Sequence, residues 1–185
     1  MKKHLYQGIL ISSFIALAVS GCGQKPATNA TQPTTTPVST PVVSATPAPT
    51  PELKQSTVKV YFTDSNQSKL VEKEATVTYK PDEAPYAATL NALKKSSDSS
   101  LASLFAGVTF KTVAFDKASG DLKLDLGFGS NTQLGAPGED YFLQALKKTV
   151  FQFPEVKTLS VLKDGQKVDS LMGHMDLPYP IKRPN

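Results

Sequence analysis

Residues 141–168 read YFLQALKKTVFQFPEVKTLSVLKDGQKV, and this stretch holds a helix, a stop, a strand and a turn in succession. Phe142, Leu146, Val150 and Phe153 recur at helical spacing, with Gln144, Lys147, Lys148 and Gln152 mostly on the other side, and Pro154 ends the pattern. Val156 to Leu162 then reads as a strand, and Asp164-Gly165 is turn chemistry that sends Lys167 and Val168 back. An amphipathic helix this close to a strand must share a core with it. The fold therefore combines helices and sheet.

The segments upstream fit the same plan. Val58, Val60 and Phe62 alternate with Thr57, Lys59 and Tyr61, a period of two that predicts a strand. Asp64-Ser65-Asn66-Gln67 is a turn, and Leu70 to Tyr79 alternates again, which closes a hairpin. Lys80-Pro81-Asp82-Glu83 offers a helix start, with Asp82 or Glu83 near the cap and Pro85 in the first turn, where its missing N–H costs nothing. Tyr86, Leu90 and Leu93 give that helix an inward face before it stops in the serine-rich stretch Ser96 to Ser100. Leu101 to Phe105 reads as a short helical turn under the core. Val108 to Phe115 and Leu122 to Leu126 read as a second hairpin closed at Lys117 to Asp121, and a loop from Gly127 to Pro137 leads to the long helix. The expected fold class is α+β, with two helices packed on one face of a mixed, mainly antiparallel sheet of five or six strands.

The N-terminus carries an address. Lys2, Lys3 and His4 precede an apolar run from Ile9 to Val19, and Ser20-Gly21-Cys22 closes it, the layout of a secretory signal. The run is shorter than the roughly 20 residues a spanning helix needs. The small residues before the lone cysteine resemble a bacterial lipobox, in which the thiol receives a diacylglycerol and becomes the new N-terminus. Residues 1–22 are thus expected to be a lipoprotein signal peptide, with Cys22 the lipid-attachment residue that holds the protein to the outer face of the cell membrane. No other cysteine exists in the 185 residues, so the fold has neither a disulfide framework nor a thiol nucleophile.

From residue 23 to 56 the composition is Thr, Pro, Ala, Ser and Val, interrupted by seven prolines from Pro26 to Pro51. Such a stretch cannot bury enough apolar surface to offset chain entropy and is expected to be a disordered linker, about 100 Å if extended at about 3.1 Å per residue. Residues 57–185 are the expected domain. The chain has 20 basic and 16 acidic side chains, but Lys2, Lys3, Lys25 and Lys54 precede the domain against Glu52 alone, which leaves 16 and 15 from Thr57 onward. A domain near +1, with Arg183 as its only arginine, has no footprint for nucleic acid.

Candidate chemistry is sparse, and the expectation is a non-enzyme without metal or cofactor. His174 is the only histidine of the domain and lacks companions that would complete a metal set. Gly127-Phe128-Gly129 lacks the third glycine of a nucleotide-binding turn, since Thr132 stands there, and Glu139 and Asp140 in the helix's first turn complement its dipole themselves. Asp121 and Asp125 share a strand face at about 13 Å, beyond the separation that two-carboxylate glycoside chemistry uses. The serines of Ser96 to Ser100 follow Lys94 and Lys95 in no arrangement of any specificity, and spacing alone leaves a Ser–Lys dyad open as a third, hydrolase reading.

In order and spacing the segments resemble the GerM-type sporulation and spore germination (GerMN) domain. The similarity is carried by Val58 to Asp64 (VKVYFTD) with Leu70-Val71, by the helix Tyr86 to Leu93, by Gly120 to Leu126 (GDLKLDL), and above all by Phe151 to Lys157 (FQFPEVK) with Val161 to Gly165 (VLKDG). The chain departs from the pattern at Glu72 to Glu74, where the family usually has a basic residue, at Lys95-Ser96, and at Phe105 to Thr109. The resemblance implies an exported, non-enzymatic domain that associates with envelope proteins, in some members within assemblies related to ring-forming domains of secretion machines. The expected function is a lipid-anchored interaction module whose partners are other envelope proteins or further copies of itself, through the strand edges Val58 to Phe62 or Val156 to Val161. The alternative is a binder of a cell-wall polymer or small extracellular ligand, using Tyr61, Tyr79, Phe128 or Tyr141 as apolar platforms.

Overall fold

The computed structural model describes residues 52–130 and 132–184. The expected signal peptide, Cys22, and the linker through residue 51 lie outside the described residues. The first hairpin pairs β1 (Lys54–Asp64) with β2 (Leu70–Tyr79) in antiparallel register from Lys54 opposite Tyr79 to Thr63 opposite Leu70. β1 starts at Lys54, ahead of the alternation that begins at Thr57. Its first residues are held by polar contacts: Lys54 Nζ donates to the Pro81 carbonyl at 2.7 Å, and the Ser56 and Tyr79 hydroxyls lie 2.9 Å apart.

α1 (Tyr86–Ala92) begins only after Pro85, while Asp82 and Glu83 stay outside in a turn closed by the Glu83 amide on the Lys80 carbonyl at 3.0 Å. Tyr86, Leu90 and the C-cap residue Leu93 are buried, as their spacing requires. Leu101-Ala102, expected within a helical turn, is instead a two-residue strand β3 that pairs with Asp64 and Thr63 of β1. Thr63 donates its hydroxyl to the Ala102 carbonyl at 3.2 Å and fastens the pair.

The second half builds its own sheet. β4 (Val108–Asp116) and β5 (Asp121–Phe128) form the expected hairpin, with a bulge between Phe110 and Thr112. α2 (Ala136–Val150) then crosses over to β6 (Thr158–Lys163), which lies parallel to β5 with Leu122 beside Leu159 and Leu124 beside Val161. Parallel pairing needs such a helical crossover. β7 (Ile181–Lys182) returns antiparallel on β6. At the expected Asp-Gly turn, Asp164 (φ 51) and Gly165 (φ 78) both adopt the positive φ that a tight I′ hairpin turn demands.

The fold is α+β, as expected, with two helices and a mixed, mainly antiparallel strand set among the described residues. The strands described number seven rather than five or six, and they divide into two sheets, ordered β2-β1-β3 and β4-β5-β6-β7. The division arises because β1 extends beyond β2 only onto the two residues of β3, whereas β4 pairs with β5. α2 packs against β1, and the core draws on both sheets: Val60 and Phe62 from the first, Leu122, Leu124, Leu126, Leu159 and Val161 from the second, all nearly inaccessible. Phe105 stacks on Phe142 of α2 with ring centroids 4.2 Å apart.

One core atom is poorly provided for. Thr149 on α2 is fully buried, and its Oγ1 has no hydrogen-bond partner. A buried hydroxyl left unpaired forfeits its solvation without return. Thr149→Val, which keeps the shape and removes the polar atom, is expected to raise the unfolding free energy by about 1 kcal/mol, measured as a higher midpoint in urea denaturation.

Candidate functional site: a lysine-lined groove between two strand edges

The C-terminal end of α2 supplies the floor of a groove of about 850 Å³. The apolar stripe of the helix faces the core and leaves Gln144, Lys147 and Lys148 on the other side; the two lysines also complement the negative end of the helix dipole. One wall is β1 at Lys59 and Tyr61, and the other is β7 with Arg183 and Pro184. The groove thus runs between an edge of one sheet and the outermost strand of the other.

Tyr61, expected to point outward, is 91% buried because α2 covers that side of β1, with Lys148 Nζ placed 5.6 Å from the ring centroid. Its hydroxyl donates to Glu72 Oε2 at 2.6 Å, and Lys59 Nζ bridges to Glu72 Oε1 at 2.8 Å. Burial, followed by the bond to Glu72, pushes the Tyr61 phenol up to about 12. Glu72 is held below its ordinary value by the hydrogen bond from Lys59 and then by that from Tyr61.

Gln152, just beyond α2, reaches the main chain of β1. Its Oε1 accepts from the Lys59 amide at 2.8 Å while its Nε2 donates to the Lys59 carbonyl at 2.9 Å and to the Thr149 carbonyl at 2.6 Å. A side-chain amide thereby takes the place of a neighbouring strand at Lys59. Arg183 is likewise spent on main chain. Nε donates to the Val156 carbonyl at 2.9 Å, Nη1 to Phe151 at 2.6 Å, and Nη2 to Val156 at 2.6 Å and to Phe153, with the guanidinium carbon 5.2 Å from the Phe151 ring centroid.

No carboxylate lines the groove, and among the described residues Lys147, Lys148 and Lys182 have no ion-pair partner. A domain close to neutral overall thus lines one groove with four lysines, three of them without a salt bridge. This concentration was not visible in composition, since Lys59, Lys148 and Lys182 are far apart in the chain.

The expected docking edges divide. Val58 to Phe62 does present an edge, partly occupied by Gln152 and adjoining β3. Val156 to Val161 is covered in part, because β6 has β5 along one side while on the other β7 pairs with Thr158 and Leu159. The short strand β7 carries no periodicity that would have revealed this cover.

The proposed aromatic platforms are not assembled on one surface. Only Tyr61 lines the groove. The Tyr79 hydroxyl is engaged with Ser56, the Tyr141 hydroxyl donates to the Ser68 carbonyl at 2.6 Å, and Phe128 packs toward Phe142, with Lys163 Nζ 5.3 Å from its centroid. Asp121 and Asp125 tie strands and turns together: Asp121 Oδ1 accepts from Thr158 at 2.7 Å and Ser160 at 3.1 Å, and Asp125 Oδ1 accepts from the Gly165 amide at 2.7 Å. In the Ser96 to Ser100 loop the acceptor is Asp98, drawn down to about 2 by the Ser100 hydroxyl and then by Lys73. The Gly129 amide closes its loop on the Gly107 carbonyl at 3.1 Å, while the exposed His174 contributes its backbone amide to Glu139.

Glu139 does more than complement the helix dipole. It is fully buried, with Oε1 accepting from the Ser170 hydroxyl at 2.8 Å and the Met172 amide at 2.9 Å, and Oε2 from the His174 amide at 2.8 Å. A signal was present: Glu139, Phe142, Leu143 and Leu146 share one helix face, so the carboxylate had to point inward.

The fold and groove define a two-sheet α+β domain with a basic channel between strand edges. The family model described as Germane, sporulation and spore germination, matches residues 59–169. The chain belongs to this family. Among solved structures it is similar to the first GerMN domain of the sporulation protein GerM from Bacillus subtilis, at 16% identity and a TM-score of 0.51 over 69% of this chain and 98% of that one. It is also similar to a candidate lipoprotein of Clostridium perfringens, at 20% identity, TM-score 0.48, 70% of this chain and 88% of that one. The tandem GerMN domains of the same Bacillus subtilis protein match at 20% identity, TM-score 0.46, 70% of this chain and 45% of that one. No curated protein gave a significant match. The matched family span ends before β7, so Lys182 and Arg183 lie beyond it.

Proposed function

We propose that this chain is a lipid-anchored extracytoplasmic interaction module of the bacterial envelope, held through Cys22 and acting in sporulation or germination assemblies. Family membership supports the biological setting, and the run Ile9 to Cys22 supports the anchor. The observation that carries the interaction reading is the groove, where Lys147, Lys148 and Lys182 make no salt bridge among the described residues and stand beside the edge of β1. Such a surface suits docking, since charges without internal partners contribute to association by steering and register. The separation of Tyr79, Phe128 and Tyr141 from Tyr61 lends no support to a shared aromatic platform for wall polymers.

Two substitutions test the two parts. Cys22→Ser is expected to move the protein from the membrane fraction to the soluble extracytoplasmic fraction; retention at the membrane would refute the anchor. Combined Lys147→Gln, Lys148→Gln and Lys182→Glu is expected to abolish in-cell photocrosslinks from probes at the groove at the cost of a small drop in thermal unfolding temperature, since the neutral amides give up the helix-end charge and the Lys148–Tyr61 contact but place no carboxylate at the negative end of α2. Unchanged discrete protein crosslinks in the folded variant would remove the groove from the interaction.

A further inference from the structure

We infer that the groove accepts an extended acidic polypeptide segment, which pairs with the edge of β1 by displacing the Gln152 amide; this rests on the interaction-module reading. The edge has the right geometry. Lys59 points both its amide and its carbonyl away from β2, toward Gln152. Residues two apart along a strand face the same side, so Thr57 and Tyr61 direct their main-chain groups to this edge as well. The Gln152 amide offers one N–H donor and one C=O acceptor to Lys59, the same pair that a peptide unit of an added strand would offer. Gln152 also keeps a bond to the Thr149 carbonyl, so it is a local stand-in with a second resting place on α2.

Charge selects the occupant. Among the described residues Lys147, Lys148 and Lys182 make no salt bridge and no carboxylate lines the groove; the acid beside it, Glu72, is bonded to Lys59 and Tyr61 and leaves the other three lysines in excess. Carboxylates at alternate positions of an added strand would meet this lysine field on one face. A phosphate polymer fits less well, because the only arginine already spends its fork on the Phe151, Phe153 and Val156 carbonyls and the lysines remain point charges. A polyol phosphate also lacks main-chain donors and acceptors to satisfy Lys59. A flat membrane surface would not reach the backbone between the two strand edges.

The test titrates the full chain, purified in detergent, with a labelled Thr-Glu repeat peptide of about ten residues, a strand-length probe. A Thr-Lys repeat, linear polyphosphate and phosphatidylglycerol vesicles serve as comparison probes. Saturable binding of the acidic peptide is expected, at least about tenfold weaker in Lys147→Glu/Lys148→Glu. Gln152→Ala is expected to speed hydrogen exchange at the Lys59 amide in the free chain and to tighten peptide binding, because no amide has to be displaced. The near-isosteric Gln152→Glu is expected to weaken it, since its carboxylate competes for the lysines. The inference is overturned if the peptide does not saturate up to about 1 mM, or if its affinity ignores both Gln152 variants. It is equally overturned if polyphosphate or vesicles bind more tightly through the same lysines. Groove crosslinks to protein that persist in cells while the peptide fails would refute the acidic strand and leave the interaction module standing; their absence would refute the module itself.

Discussion

Glu139→Ala is expected to lower the unfolding free energy by about 3–5 kcal/mol, measured by urea denaturation. The carboxylate sits in the first turns of α2, fully buried, and is the acceptor for the Ser170 hydroxyl and the amides of Met172 and His174. Removing it orphans three donors at once: the buried Met172 amide costs about 1–3 kcal/mol, and the part-buried Ser170 hydroxyl and His174 amide add less because water reaches them. The segment it holds also contributes the buried side chains Leu171, Met172 and Leu177 to the core. Faster hydrogen exchange at Met172 and His174 should therefore accompany the loss. Glu139→Gln keeps the volume but turns an N–H donor toward donors, so it should restore only part of the stability.

The acid limb of stability follows from the same site. Burial pushes the Glu139 carboxyl up, but the Met172 amide, the Ser170 hydroxyl and the His174 and Met175 amides outweigh it and hold the group below its ordinary value. A depressed carboxyl contributes its full stability above the unfolded-state value of about 4.3 and loses it as pH falls toward the lower folded value. Glu139→Gln should therefore flatten the fall in stability below about pH 4. An unchanged acid limb would show that the carboxylate does not carry this linkage.

What could be read in the sequence is what is local. The β1–β2 hairpin, the β4–β5 hairpin and α2 each announce themselves within a dozen residues or so, through a period of two or of 3.6. The division into two sheets does not, because β3 and β7 are two-residue strands without a period of their own, and Leu101-Ala102 read as easily as a turn. The groove was invisible for a related reason. Lys59 and Gln152 meet across 93 positions of chain, and Tyr61 changes from an outward tyrosine to a buried one only when α2 lies over it. Glu139 stood between these cases: helical phase put it on the apolar face, but the donors that make burial tolerable come from a loop some 30 residues later.

Arg183→Ala is expected to cost about 2–4 kcal/mol, read as a lower urea midpoint, although the residue lies past the matched family span and near the C-terminus. Its guanidinium serves the end of α2, where the last carbonyls of any helix lack intrahelical donors. Phe151, Phe153 and Val156 all offer their carbonyls to it, and the Arg183 amide itself donates to the Lys157 carbonyl at 3.0 Å, which extends the pairing of β7 beyond Lys182. Bonds from a charged donor contribute about 1.5–3 kcal/mol each in favourable cases, but solvent can rewet part of this half-buried site, so the sum is not expected. Arg183→Lys tests whether charge or shape matters. A single ammonium cannot span three carbonyls in the plane of the guanidinium or stack on Phe151 as the planar cation does, so lysine should recover less than half of the loss. Full recovery would reduce Arg183 to a general countercharge at the helix end. Because this arginine also forms a wall of the groove, Arg183→Ala should weaken crosslinks from groove probes even at temperatures where the protein remains folded. Lys182→Glu, which breaks no internal bond, separates that loss of groove shape from loss of charge alone.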